Sequence, residues 1–300
     1  MSYVFLILSV LGIGVYFSIM NAFQRNTKQG IIISFCFSGC YALISMLVVS
    51  IIMLFNFQFT WLAVLLSGLN AICFLITTVI GIKVLSLGSI ALYTVFMMLG
   101  GMIVPFFCGI LLFNEPYNVW NFIAVALMTV ALFLTVDDAK IEGGKKNVFK
   151  FFLFSFLVFL ANGGTAVFAT IHQKPQYSHL AVSSYQFAWN EYFFTFLFSA
   201  IILAINLVKK KREVKENLSI VVSKKNVLYP IFYACIHAFS NIMLLLALSG
   251  LPSSVQFPVI TGGTIFLTTI LGKFLFKDKT TLKTWIGVAI IVLATILFVI

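Results

Sequence analysis

Residues 109–115 read Gly-Ile-Leu-Leu-Phe-Asn-Glu and residues 272–278 read Gly-Lys-Phe-Leu-Phe-Lys-Asp, an offset of 163 positions. The same offset sets Gly100 on Gly263 and brings the pair Gly100-Gly101 within one step of Gly262-Gly263. An apolar segment follows each copy, and in the second it runs to residue 300. The repetition predicts two copies of one unit, residues 1–147 and 148–300.

The nature of the unit follows from the apolar runs. The chain is 62% hydrophobic and 9% charged, whereas a soluble domain has roughly 45–50% apolar and about 25% charged residues. The apolar excess must face lipid. A helix rises about 1.5 Å per residue, so a hydrocarbon core of about 30 Å takes roughly 20 residues. Runs of that size fall at about 2–20, 31–55, 61–82, 89–113, 118–136, 149–171, 180–207, 227–248, 254–276 and 284–299. The breaks at Asn56–Thr60 and Ser249–Ser253 are faint, and length decides both. Residues 31–82 as one helix would extend nearly ~80 Å, more than twice the core. Backbone groups in lipid must be satisfied internally, which leaves helices or closed barrels. These runs are too long and too uniformly apolar for barrel strands, which alternate. The first run has no basic flank and is long enough to cross, so it reads as a span and not a cleaved signal peptide. The expected fold is all-α: a polytopic membrane protein of ten transmembrane helices in two inverted five-helix repeats.

Charge supplies an independent reading. A net charge of +11 would point to nucleic acid in a soluble protein, but here the cations sit in short loops and no nucleic acid is expected. Of the 19 Lys and Arg residues, all but Lys174 fall on one side of the ten-span layout. They are Arg25 and Lys28, then Lys83, then Lys140 to Lys150, then Lys209 to Lys225, then Lys273 to Lys283. Positive loops stay in the cytoplasm, which predicts a cell (inner) membrane protein with both termini outside. Glu115 then lies outside, in a loop without Lys or Arg, and its counterpart Asp278 lies inside among Lys277, Lys279 and Lys283. An odd number of spans per unit inverts one copy relative to the other. The run Lys209-Lys210-Lys211-Arg212 with Lys215, Lys224 and Lys225 also suits anionic headgroups.

On these residues the chain resembles the drug/metabolite transporter superfamily, in its ten-span EamA-like branch. The resemblance covers essentially the whole chain. It is carried by the five-plus-five layout, by a fourth span ending Leu-Leu-Phe-Asn-Glu115-Pro116, and by the copy ending in Asp278. The family's Gly-Glu pair is Asn114-Glu115 at the end of span 4 and Lys277-Asp278 at the end of span 9, and the Trp-Gly common in its first span is absent. The resemblance implies secondary transport of small metabolites, often export, without ATP; no Walker-type Gly-Lys-Ser/Thr loop is present. Inverted repeats around a midplane site are the architecture of alternating-access carriers.

Of the 8 carboxylates only Glu191 sits deep in a span. A charge there costs about 2.5–3.5 kcal/mol on insertion scales, so it should face the bundle interior or water. A carboxyl taken out of water favours its neutral form, which makes a Glu in this position a candidate proton carrier or a counter-charge for a cationic substrate. It could also be a structural group bonded to a neighbouring helix. At about 100° per residue, Ser183, Ser184, Gln186, Asn190 and Glu191 share an arc of roughly 160°, with Tyr185 and Trp189 at one edge. Such an arc faces protein or a cavity. His237 and Asn241 stand one turn apart in span 8, and Asn162 and Asn70 are at mid-depth in spans 6 and 3. Each is a candidate for substrate contact or for helix–helix hydrogen bonding. Tyr93 opens span 4 and is a further candidate; the glycine pairs read first as close-packing points. His172 and His179 bracket an outer loop without a ligand partner.

No cofactor or metal site is expected. The five cysteines, Cys36, Cys40, Cys73, Cys108 and Cys235, all lie in apolar runs, and Cys36 and Cys40 share a helix face without His or carboxylate neighbours. An intramembrane enzyme would need paired carboxylates, His-Glu-x-x-His or Ser with His, whereas Glu191 stands alone. Two readings remain, a carrier and a scaffold or lipid-handling membrane protein without a soluble substrate. The carrier's ligand would be a neutral, zwitterionic or cationic metabolite, handled by a monomer or homodimer among membrane lipid.

Overall fold

A computed structural model describes residues 1–27, 30–85, 90–135, 145–174, 180–278 and 280–298. Lys28, Lys140, His179 and Lys279, with the side chains of Lys83, Lys145 and Lys146, lie outside the described residues. The described residues form ten helices: α1 (Ser2–Asn26), α2 (Ile31–Ile52), α3 (Trp61–Leu85), α4 (Ile90–Phe113), α5 (Val119–Leu134), α6 (Lys145–Gln173), α7 (Ser184–Val222), α8 (Leu228–Leu248), α9 (Ser253–Phe276) and α10 (Leu282–Leu297). Eight are long and apolar enough to cross a membrane; α5 and α10 are shorter apolar helices. The chain is a multi-pass membrane protein.

Local chemistry sets the breaks. The faint boundary after α2 is a reversal in which Leu54 (φ 51°) and Phe55 (φ 57°) take left-handed conformations. Asn118, Ser183 and Thr281 cap α5, α7 and α10, their side chains accepting from Asn121, Gln186 and Thr284 N–H groups. These bonds satisfy donors that a helix start leaves unpaired. Helix α7 departs from the sequence expectation. It runs on from residue 207, where the hydrophobic run stops, to Val222, with its axis broken at Lys210 (φ −137°, ψ 42°). Hydropathy ends there but helix propensity does not: Lys, Arg and Glu are good helix formers. The pairs Lys210–Glu213 (3.0 Å) and Arg212–Glu216 (2.8 Å) bridge successive turns of the extension.

Helix α1 packs on α8 and α9, α2 on α7 and α8, α3 on α6 and α7, α4 on α6 and α9, and α5 on α10. One buried cluster joins α1, α2, α3, α6, α7, α8 and α9, with Phe37, Tyr41, Phe187 and Leu245 among its members. A second joins α4, α5, α9 and α10 through Met102, Phe106, Met128 and Ile291. Leu65, Leu111, Val130 and Leu293 are exposed on the outer surface, as lipid-facing side chains must be.

Two helices approach closely at Gly100 and Gly163. A Cβ on Gly100 would run into the Phe159 carbonyl group, and one on Gly163 would lie 2.7 Å from the Gly100 carbonyl oxygen. Neither neighbour is a side chain that can swing away, so glycine is required for α4 and α6 to meet. Gly100→Ala is therefore expected to destabilise by about 1–3 kcal/mol, as overpacking does. Gly39→Ala, whose Cβ would sit 3.7 Å from Ser199, should be neutral or should stabilise by up to about 1 kcal/mol through helix propensity. Thermal unfolding of the two variants side by side checks the contrast.

Candidate functional site

Helices α1, α2, α3, α4, α6, α7, α8 and α9 all contribute to one internal cavity of about 370 Å³. Glu191 projects into it from α7. Its two oxygens are held from different helices: Oε1 accepts from Asn70 Nδ2 on α3 at 2.5 Å, and Oε2 accepts from Asn241 Nδ2 on α8 at 2.8 Å. The carboxylate is thus the shared acceptor of a three-helix junction, with a lone pair left on each oxygen. Asn162 also lines the cavity and donates to the Met97 carbonyl at 2.8 Å, tying α6 to α4.

One turn before Asn241, His237 lines the same space. Its Nδ1 is 2.9 Å from the Tyr192 hydroxyl. Tyr16, Tyr41 and Tyr233 surround its ring with centroids at 4.8, 5.5 and 5.4 Å. All three rings line the cavity, and among the described residues no protein group hydrogen-bonds their hydroxyls. The cavity therefore has an acid-and-amide pole at Glu191 and a wall of aromatic faces with free phenols at His237. Thr264 adds a buried hydroxyl without a protein partner.

The polar arc of α7 divides between two environments. Glu191 faces the cavity. Gln186 and Asn190 are buried against the loop after α2, where Gln186 Nε2 donates to Asn190 Oδ1 (2.9 Å) and Gln186 Oε1 accepts from the Gln58 N–H (3.1 Å). Trp189 Nε1 donates to Ser50 Oγ at 2.9 Å, and its ring packs on Phe57 and Phe193. Tyr185 packs on the main core cluster. Tyr93 lies against Gly81 and the small cluster around Phe151, its hydroxyl 3.8 Å from Met97 Sδ. Of the residues picked from sequence, Glu191, Asn70, Asn241, His237 and Asn162 line the cavity; Gln186, Asn190, Trp189, Tyr185 and Tyr93 stand outside its wall. The four tyrosines were not picked. A signal was available: a phenol in the middle of an apolar run is as conspicuous there as an asparagine.

The repeated motif forms two corners of like construction. At the end of α4, Asn114 is left-handed (φ 51°) and the Glu115 N–H bonds to the Gly109 carbonyl at 3.0 Å. At the end of α9, Lys277 is left-handed (φ 55°) and the Asp278 N–H bonds to the Gly272 carbonyl at 3.2 Å. Lys174, just past α6, pairs with Glu115 and lies 5.1 Å from the Phe113 ring centroid. Arg25, near the end of α1, pairs with Asp278 at 2.8 Å and lies 4.5 Å from the Phe276 ring centroid. The corners differ in burial. The Glu115 side chain is 4% exposed and also accepts from the Ser253 and Ser254 N–H groups at 2.9 and 2.8 Å, whereas the Asp278 side chain is 38% exposed. Burial pushes the Glu115 carboxyl up, but the bonds from Lys174, Ser254 and Ser253 outweigh it and hold the group below its ordinary value.

No family model matches the chain. Over 107 residues, 35% of this chain and 94% of the relative, it is 28% identical to the probable 4-amino-4-deoxy-L-arabinose-phosphoundecaprenol flippase subunit ArnE of Proteus mirabilis (strain HI4320). This relative supports the resemblance to the drug/metabolite transporter superfamily. A solved crystal structure superposes on 99% of this chain and 95% of its own, with a TM-score of 0.69 at 8% identity, which speaks to the fold alone.

The Glu115 corner has a pH signature. A carboxyl held low in the fold contributes stability above its unfolded value near 4.5. That contribution is lost as pH falls through the lower folded value. At neutral pH, Glu115→Gln should cost about 1.5–3 kcal/mol, the range for hydrogen bonds to a charged group. Melting curves of parent and variant should converge as the buffer is taken below about pH 4.5.

Proposed function

We propose that this protein is a secondary transporter that moves a small metabolite by alternating access through the cavity beside Glu191. The observation that carries the reading is Glu191 itself: a carboxylate inside an internal cavity, held by amides from two other helices. It is open on one side to a space of metabolite size. The reading is non-enzymatic, because the groups bonded to Glu191 are amides that hold it in place, and because the relative is a flippase subunit.

Residues 1–147 and 148–300 are the two inverted repeats of this carrier. The packing supports this. Exchanging α1–α5 with α6–α10 turns α1·α8 into α6·α3, α4·α6 into α9·α1 and α3·α7 into α8·α2, and returns α2·α7, α4·α9 and α5·α10 to themselves. Every pairing so produced is one the structure contains. Positive loops place Arg25 and Lys209–Arg212 in the cytoplasm and both termini outside the inner membrane. One chain encloses the cavity, so a monomer is a complete unit; a homodimer would leave it intact.

The site favours a cationic or zwitterionic metabolite over a neutral one. The described wall contains a carboxylate and no Lys or Arg, and aromatic faces attract cations. An amine also appears in the name of the relative's cargo. A proton on Glu191 would remove the negative charge that attracts a cationic substrate, so proton and substrate compete for one group. That competition is the basis of export driven by a proton gradient or by exchange. The flippase relative favours a second reading, in which the ligand is a lipid-linked amine taken from the bilayer.

In proteoliposomes the parent should move an amine-bearing solute in response to a pH gradient. Glu191→Gln should abolish the pH response, and Asn70→Ala or Asn241→Ala should lower the rate about tenfold, the weight of one hydrogen bond to a charged group. An unchanged pH response in Glu191→Gln removes the proton role. Translocation of a lipid-linked amine with no movement of soluble amines would select the second reading.

A further inference from the structure

The two corners made by the repeated motif are built alike but engaged differently. Helix α9 has 24 residues, so its ends lie about 36 Å apart. Glu115 bonds to Ser253 and Ser254 at its start, and Asp278 stands at its end. The corners are therefore on opposite faces of the molecule, and the end of α4 meets the start of α9.

Each corner has a left-handed residue, a carboxylate after it, and a cation from the end of another helix that also lies over a phenylalanine ring. Only one carboxylate reaches across. Glu115 accepts from the first N–H groups of α9, where unpaired donors and the positive end of the helix dipole favour an anion. This bond ties α4 to α9 at one face. Among the described residues, every hydrogen bond to the Asp278 carboxylate comes from Arg25. Among the described residues, no hydrogen bond ties the end of α9 to the start of α4.

These two helices are walls of the cavity. Met97, Met98 and Gly101 of α4 and Phe257, Thr261 and Thr264 of α9 line it, so parting α4 from α9 at either face opens a route to Glu191. The helices pack along each other and run antiparallel, so a rocking motion that parts one pair of ends brings the other pair together. We infer that Glu115 and Asp278 are reciprocal clamps: Glu115 on the start of α9 shuts one mouth, Asp278 on the start of α4 shuts the other, and they engage in turn. Lys174 and Arg25 keep each carboxylate at its corner between engagements. In this structure the Glu115 clamp is engaged. All four are positioning residues and none touches the ligand. The inference rests on the alternating-access reading.

The clamps predict shifts of opposite sign, which a merely structural role would not produce. In a background with Cys36, Cys40, Cys73, Cys108 and Cys235 replaced by serine or alanine, Thr261→Cys places a reporter in the cavity. Labelling by a membrane-impermeant maleimide is then timed in vesicles of either orientation. Glu115→Gln should speed labelling from the Glu115 face and slow it from the Asp278 face, the ratio of the two rates changing about tenfold, the equivalent of ~1.4 kcal/mol. Asp278→Asn should shift both rates the other way, and the double variant should return toward the parent. Asp278 is at an exposed corner, so its variant reads the inference by itself if Glu115→Gln fails to fold. Shifts of the same sign, or none, overturn the clamps and leave alternating access standing. A reporter reached from a single face in every variant overturns both.

Discussion

A carboxylate at mid-membrane depth has to be met by the protein, because the lipid around the bundle offers nothing to it. In this fold the donors come from Asn70 and Asn241, on helices that are far apart in the chain and that α7 brings together. That junction fixes the spacing of α3, α7 and α8 around a polar centre where apolar packing would otherwise close the gap. The cavity follows from it. The amides hold the carboxylate off the opposite wall, and large rings from α1, α2 and α8 line the far side.

Other buried polar groups of α7 bond locally, although the Asn190 side-chain nitrogen is buried without a partner among the described residues. Gln186 and Asn190 bond to each other, and Gln186 takes the Gln58 N–H of the loop after α2. Trp189 bonds to Ser50 near the end of that helix. Together they brace the reversal in which Leu54 and Phe55 are left-handed. The arc is thus half cavity lining and half scaffold, and the division falls between adjacent residues, Asn190 and Glu191.

That division shows where sequence reading stops. The breaks at residues 56–60 and 249–253 were legible because helix length and membrane thickness leave no alternative. Glu191, Asn70, Asn241, His237 and Asn162 were legible because a polar group in an apolar run has few explanations. Gln186, Asn190, Trp189 and Tyr185 were placed with them because periodicity gives the direction of a side chain around its own axis and is silent on which neighbour lies in that direction. Tyr16, Tyr41, Tyr192 and Tyr233 are less legible because tyrosine is at home at membrane interfaces, so its residue type alone does not mark a cavity wall. The extension of α7 beyond residue 207 was invisible to hydropathy, which measures burial in lipid and not helix formation. The Glu115–Lys174 pair could have been anticipated, since Lys174 is the lone cation assigned to that side.

The two corners show how one motif can be set to different strengths without changing its backbone. Both copies keep the left-handed residue and the bond back to a glycine carbonyl. Position Asn114 in one copy is Lys277 in the other. Asp278 and Arg25 are well exposed, so water and salt screen their attraction, and such pairs contribute little. Glu115 has one cation, two backbone donors and a serine hydroxyl around a carboxylate that water scarcely reaches. Removing a partner from such a group leaves a charge uncompensated, which is far more costly than parting a solvated pair. The Glu115 corner is therefore the stiff one and the Asp278 corner the yielding one. The burial of a single carboxylate, and not any difference in backbone between the corners, sets them apart.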